Sequence, residues 1–135
     1  MKKLLLISIL AVLIGCKKDA ENNAGLNGSW EYRGAACYCV AAADTSANKP
    51  GNGNILSFTN SDYKRYTKGV LEKSGTYTII KATAANKQIA SRIIYDGDTT
   101  SGIVYFRIDS SKLTLFGSIP LAADGPEYYY ERIKL

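Results

Sequence analysis

The chain has 135 residues, 17 Lys and Arg against 12 Asp and Glu, a net charge of +5, and no histidine. One domain accounts for that length, and 46% hydrophobic residues are enough to build a core, which excludes a wholly disordered chain. Without histidine the chain lacks the commonest metal ligand and the commonest general acid/base, so Ser-His-Asp and Cys-His catalysis are excluded within it.

Met1-Lys2-Lys3 is a basic start, and residues 4–14 are apolar apart from Ser8. That run falls short of the ~20 residues that a membrane-spanning helix needs. A basic start, a short apolar run and small residues read instead as a secretory signal peptide over residues 1–15. Leu13-Ile14-Gly15-Cys16 resembles the lipobox of bacterial lipoproteins. The resemblance implies cleavage after Gly15, lipidation of the Cys16 sulfur and acylation of the new N-terminus, so that the chain is held to a membrane through Cys16. Loss of Lys2 and Lys3 with the leader lowers the charge from +5 to +3. No run of five like charges occurs, so no nucleic-acid partner is expected.

Residues 16–27 then form the lipidated cysteine and a polar, flexible tether. Lys17 follows the cysteine where lipoproteins retained in an inner membrane commonly carry Asp, which makes the outer membrane the expected address. Lys17-Lys18-Asp19-Ala20-Glu21 loosely resembles the charged export signals of Bacteroidetes lipoproteins, so the periplasmic face and the cell surface both stay open.

From Gly28 to the C-terminus the pattern is that of strands. Apolar residues alternate with polar ones, punctuated by Gly, Asn, Asp and Ser. The predicted strands cover 29–38, 53–59, 62–68, 74–81, 88–95, 102–109, 112–117 and 126–134. In the clearest, Val104, Phe106 and Ile108 share one face and Tyr105, Arg107 and Asp109 the other. Tyr77 pairs in parity with Ile79, Ile93 with Tyr95, and Leu113 with Leu115. Asn60-Ser61, Lys68-Gly69, Asp96-Gly97-Asp98 and Ser110-Ser111 are turn signals. Short connections make sequential strands antiparallel neighbours. Strands with no covering helix must bury one face on each other, as in a barrel or, second, a sandwich. The expected fold is therefore all-β: a single antiparallel up-and-down barrel of about eight strands over residues 28–135.

Gly28-Ser29-Trp30 resembles the G-x-W that opens the lipocalin barrel, and Leu26-Asn27-Gly28-Ser29-Trp30 resembles the start of small lipocalin-like domains on Bacteroidetes lipoproteins. Leu56-Ser57-Phe58, Gly75-Thr76-Tyr77-Thr78-Ile79, Lys112-Leu113-Thr114-Leu115 and Tyr130-Glu131-Arg132 follow in order, so the likeness covers residues 26–133. It implies that Trp30 closes the barrel floor and that Arg132, from the last strand, lies over the indole. Both are then structural. Unlike lipocalins proper, the chain has no helix after its last strand, and its short strands favour a filled interior.

Alternation places Tyr32, Tyr77, Tyr95, Tyr128 and Tyr130 inward, with Phe106 on the same face of its strand. These six are the candidate ligand-binding residues. They form either a filled aromatic core or the wall of a cavity for a flat or amphipathic molecule.

Cys37-Tyr38-Cys39 holds the two cysteines left once Cys16 is lipidated. An oxidising compartment permits a disulfide between them; two free thiols, a soft-metal or redox pair and intermolecular bonding are the other readings. Unbroken parity from Trp30 would point both outward, beside Glu31 and Arg33. The expectation is that they are joined, or turned inward by a bulge near Gly34-Ala35-Ala36.

Asp96-Gly97-Asp98 begins like a calcium loop, but Ser101 and Arg107 stand where an EF-hand needs Gly and Glu. No G-x-S-x-G, Walker loop or H-E-x-x-H occurs. No enzyme activity, metal or cofactor is expected. The functional expectation is a lipid-anchored binding module for a small apolar or amphipathic molecule. The alternative is a structural lipoprotein with a filled barrel that meets another envelope protein through its loops.

Overall fold

In the computed structural model, which describes residues 25–36, 45–83, 89–117 and 125–134, the strands follow one another with a single 3-10 turn at Ser46–Asn48. They are β1 (Gly28–Ala36), β2 (Ile55–Thr59), β3 (Asp62–Thr67), β4 (Val70–Thr83), β5 (Ile89–Tyr95), β6 (Val104–Asp109), β7 (Lys112–Phe116) and β8 (Glu127–Ile133). Each pairs antiparallel with its neighbour in sequence, and β8 returns to β1 to close an eight-stranded up-and-down barrel. The expected leader and lipobox with Cys16, and Cys37 and Cys39, lie outside the described residues.

The turns follow from residues that tolerate left-handed backbone. Lys68 and Gly69 both have positive φ, 52° and 80°, which suits the tight hairpin that sets Thr67 opposite Val70. Asn60 and Ser110 adopt φ of 56° and 55° at the β2–β3 and β6–β7 turns. These turns and the start of β1 form one end of the barrel or the other in strict alternation. The floor end holds residues 25–28, 60–61 and 110–111; the mouth holds 45–54, 68–69 and 96–103.

The core fills the floor half. Trp30, Phe58, Tyr77, Ile93 and Leu113 are fully buried there, and Leu26, just before β1, plugs the end. Phe58 and Tyr77 meet edge to face at 5.0 Å. Trp30 donates its indole N–H to the Leu26 carbonyl at 2.7 Å. Across the β1–β8 seam Trp30 is register partner to Arg132, whose guanidinium lies 4.1 Å from the indole centre. Arg132 also donates to the carbonyls of Asn27 at 2.6 Å and Gly25 at 2.7 Å. Gly28 has φ 130°, and a Cβ there would sit 2.6 Å from Arg132 Nη1. Glycine at this position therefore answers both to its backbone and to the arginine folded over it.

Three details depart from expectation. β4 is longer than 74–81, running Val70–Thr83. A register shift between Arg65 and Tyr66 sets Arg65 opposite Lys73 and Tyr66 opposite Leu71, leaving Glu72 without a partner and breaking the alternation by which its first half could be read. The β1 bulge falls between Tyr32 and Gly34, earlier than 34–36, so Arg33 is the unopposed residue. Ala35 then pairs with Tyr128 and takes inward parity. Third, the interior is filled only in its floor half: at the mouth Ala35, Arg65 and Lys73 take inward positions, and a cavity remains among the tyrosines.

Candidate binding site at the barrel mouth

A cavity of about 330 Å³ opens between the upper ends of the strands. Its apolar bed is Leu56 from β2, Val104 from β6 and Leu115 from β7, with Tyr95 and Tyr130 rising beside them. A second lobe of about 270 Å³ shares Leu56, Arg65, Tyr128 and Tyr130 with the first and adds Tyr32. Tyr32 and Tyr130 meet edge to face at 5.6 Å, and Tyr63 and Tyr95 at 4.7 Å. The first lobe lies near the lower end of the ~300–1,000 Å³ range of small-molecule sites.

Burial pushes the Tyr130 phenol up to about 12, with the Tyr32 and Tyr128 hydroxyls adding to the effect. Burial also drives Tyr95 upward. Both stay neutral at physiological pH and offer O–H groups rather than charge.

Two cations stand at the rim. Arg65 of β3 and Lys73 of β4 are direct register partners, one step mouthward of Tyr63 and Gly75 on the same inward face. Each has a carboxylate beside it. Arg65 Nε lies 3.2 Å from Glu72 Oε2, and Lys73 Nζ lies 3.2 Å from Asp96 Oδ2. Asp96 ties three strands together. It accepts the Tyr63 hydroxyl of β3 at 2.9 Å and the Thr76 amide of β4 at 3.0 Å, and its own amide donates to the Thr76 carbonyl at 2.8 Å where β5 ends. The Tyr63 and Lys73 hydrogen bonds hold its carboxyl below the usual carboxylate range.

The mouth loops are pinned from outside the barrel. Glu31, outward on β1 yet only 4% exposed, accepts the amides of Gly51 at 3.0 Å and Gly53 at 3.2 Å, and Arg33 Nη1 at 2.7 Å. Burial raises its pKa, but these three donors outweigh burial and leave it lowered. The bulge aims Arg33 at this cluster, where its Nε also reaches Glu131 at 3.0 Å. Asn52 bridges the carbonyls of Tyr32 and Lys49 at 2.8 and 2.7 Å. On the opposite rim Asp98 accepts the amides of Thr100 at 2.9 Å and Ser101 at 3.0 Å, and both their hydroxyls. Its carboxylate serves the turn.

Of the six candidate ligand-binding residues, Tyr32, Tyr95, Tyr128 and Tyr130 come together around the two lobes. Tyr77 and Phe106 lie lower. Tyr77 is fully buried with its hydroxyl donating to Asn27 Oδ1 at 3.2 Å, and Phe106 packs against the core. Tyr63, Arg65 and Lys73 are lining residues that sequence reasoning missed. Counting back in twos from Tyr77 through Gly75 gives Lys73 its inward place, so the signal was present.

No protein-family model, no curated protein and no solved structure matches this chain.

Proposed function

We propose that this chain is a lipid-anchored envelope protein of lipocalin-like type, whose barrel is a non-enzymatic binding module for a small apolar or amphipathic molecule. The observation that carries the binding reading is the cavity at the mouth, apolar in its bed and ringed by neutral tyrosine hydroxyls. The lipocalin-like reading draws on the Gly28-Ser29-Trp30 opening and the arginine folded over the indole. The anchoring reading draws on the lipobox residues Leu13 to Cys16. It expects residence at the outer membrane, and a Cys16→Ser variant is expected to leave the membrane fraction.

The alternative, an interaction protein acting through its loops, is favoured by Val70, Leu71 and Ile103, apolar and exposed. Native mass spectrometry of protein taken from its own cells separates the two, together with uptake of the neutral dye N-phenyl-1-naphthylamine. The binding module carries a bound small mass or takes up the dye saturably at one site. An empty barrel that ignores the dye leaves the interaction reading standing.

A further inference from the structure

We infer that the cavity selects amphipathic anions, with a carboxylate head seated between Arg65 and Lys73 and the apolar part lying on Leu56, Val104 and Leu115. This rests on the reading of the barrel as a binding module and names the class of molecule it takes.

The placement of the two cations is the first ground. Inward positions of a small barrel are ordinarily apolar. Here two inward positions, directly opposite each other on β3 and β4, are both cationic. Like charges placed directly across a ladder are destabilising, and an anion between them reverses that sign.

The second ground is what lines the cavity. Among the described residues, the charged side chains lining the two lobes are Arg65 and Lys73 alone; Arg65 lines both. Glu72 and Asp96, their protein partners, line neither. Among the described residues a ligand within the lobes therefore meets charge at the lining only as Arg65 and Lys73, each with a carboxylate 3.2 Å from it.

The third ground is that both cations are available. Their side chains are 55% and 53% exposed, and exposed ion pairs of this kind contribute little to stability. Glu72 engages Arg65 through Nε, and a guanidinium carries five N–H donors in a fork that matches a carboxylate. Asp96 is held by Tyr63 and Thr76 as well as by Lys73, so it keeps its place if the ammonium turns toward a ligand. Tyr95 and Tyr130, protonated, add O–H groups without adding a charge that would repel the head.

The test uses the chain from residue 16 onward with Cys16→Ser, which carries neither the apolar leader nor the proposed lipid. Decanoate and decanol, one chain with two heads, are titrated by calorimetry at neutral pH. Decanoate is expected to bind about tenfold tighter or more, the scale of a charge-assisted hydrogen bond. Arg65→Gln with Lys73→Gln should bring the two ligands level while leaving decanol unchanged. Glu72→Gln, which removes a competing carboxylate and leaves both cations in place, should tighten decanoate further. Equal binding of the two ligands by the parent chain, or a preference that survives in the double variant, overturns the anion inference and leaves the binding module intact. If neither ligand binds, the anion inference falls; if the dye is not taken up either, the binding module falls with it.

Discussion

Truncating Glu31 to alanine removes the tie between β1 and the loop that leads into β2. Three hydrogen bonds go with it, from Gly51, Gly53 and Arg33. Removing one partner of a fully buried ion pair costs ~3–5 kcal/mol. Here the loss is smaller, because Gly51 is exposed and its amide can hydrate, and Arg33 keeps Glu131. The expected destabilisation is ~2–3 kcal/mol, which in a barrel of this size lowers Tm by ~8–12 °C. Glu31→Gln keeps an acceptor and loses the charge, and should cost about half as much. Trp30 is the single tryptophan and is fully buried, so its emission reports urea unfolding directly. Amide exchange at Gly51 and Gly53 should rise in the alanine variant before global unfolding does.

The pH dependence has a definite sign. Glu31 has a folded pKa below its unfolded value. Its contribution is therefore complete above the unfolded value of ~4.3 and is lost as pH falls through the lower folded value. The stability gap between parent and Glu31→Ala should be flat near neutrality and close in acid. A variant that loses under ~0.5 kcal/mol, or that loses stability without faster exchange at Gly51 and Gly53, would refute the account of Glu31 as the loop tie.

Two further substitutions probe the floor and the β3–β5 corner. Arg132→Ala removes the guanidinium over Trp30 and the bonds to the Asn27 and Gly25 carbonyls; it should cost ~1–2 kcal/mol and shift Trp30 emission, with Arg132→Lys intermediate. An unchanged emission spectrum would count against the stacking. Gly75→Ala places a Cβ against the Asp96 carboxyl and 3.0 Å from Tyr63 Cε1. Displacing Asp96 from Tyr63 and Thr76 should lower the midpoint of chemical denaturation. Asp96→Ala in the Gly75→Ala background should recover part of that loss, and no recovery would place the strain elsewhere.

The barrel was legible wherever one strand face is buried and the other is not. β6 and β7 show the cleanest alternation and match their predicted ranges to within two residues, since Val104, Phe106, Leu113 and Leu115 all pack inward. The first half of β4 escaped because Val70 and Leu71 are exposed and Glu72 is bulged, so no period marks it. At the site, parity from Trp30 and Tyr95 brought four tyrosines to the cavity. Arg65 and Lys73 did not enter because a charged residue reads as outward unless a neighbour's register forces it in. Glu31 does point outward, as parity requires, but it is buried by a loop that folds back over β1. Strand periodicity carries no information about where a loop docks.

The positions of these ties bear on how the mouth stays open. An apolar void invites its walls to close, because packed side chains gain contacts that a gap forfeits. Closing this one would draw the rims of β1–β4 toward β6 and β7. Those rims are fixed by bonds that lie mostly outside the cavity. Glu31 and Asn52 hold residues 49–54 against β1, the Gly69 amide donates to the Gly53 carbonyl at 3.0 Å, and Asp96 binds the edge of β4 where the β5 ladder stops. The floor is sealed separately by Trp30, Leu26 and Arg132. Ties at the floor and on the outer face of the mouth thus take part of the load that a fully packed inward layer would carry. Residues in the inward layer at the mouth are to that extent free to be chosen for a ligand, which is why Ala35, Arg65 and Lys73 can stand where a filled barrel would carry leucine or valine. For the proposed anion, a cavity held open in advance means that little ordering of the protein opposes binding. Discrimination then falls to the head group at the rim.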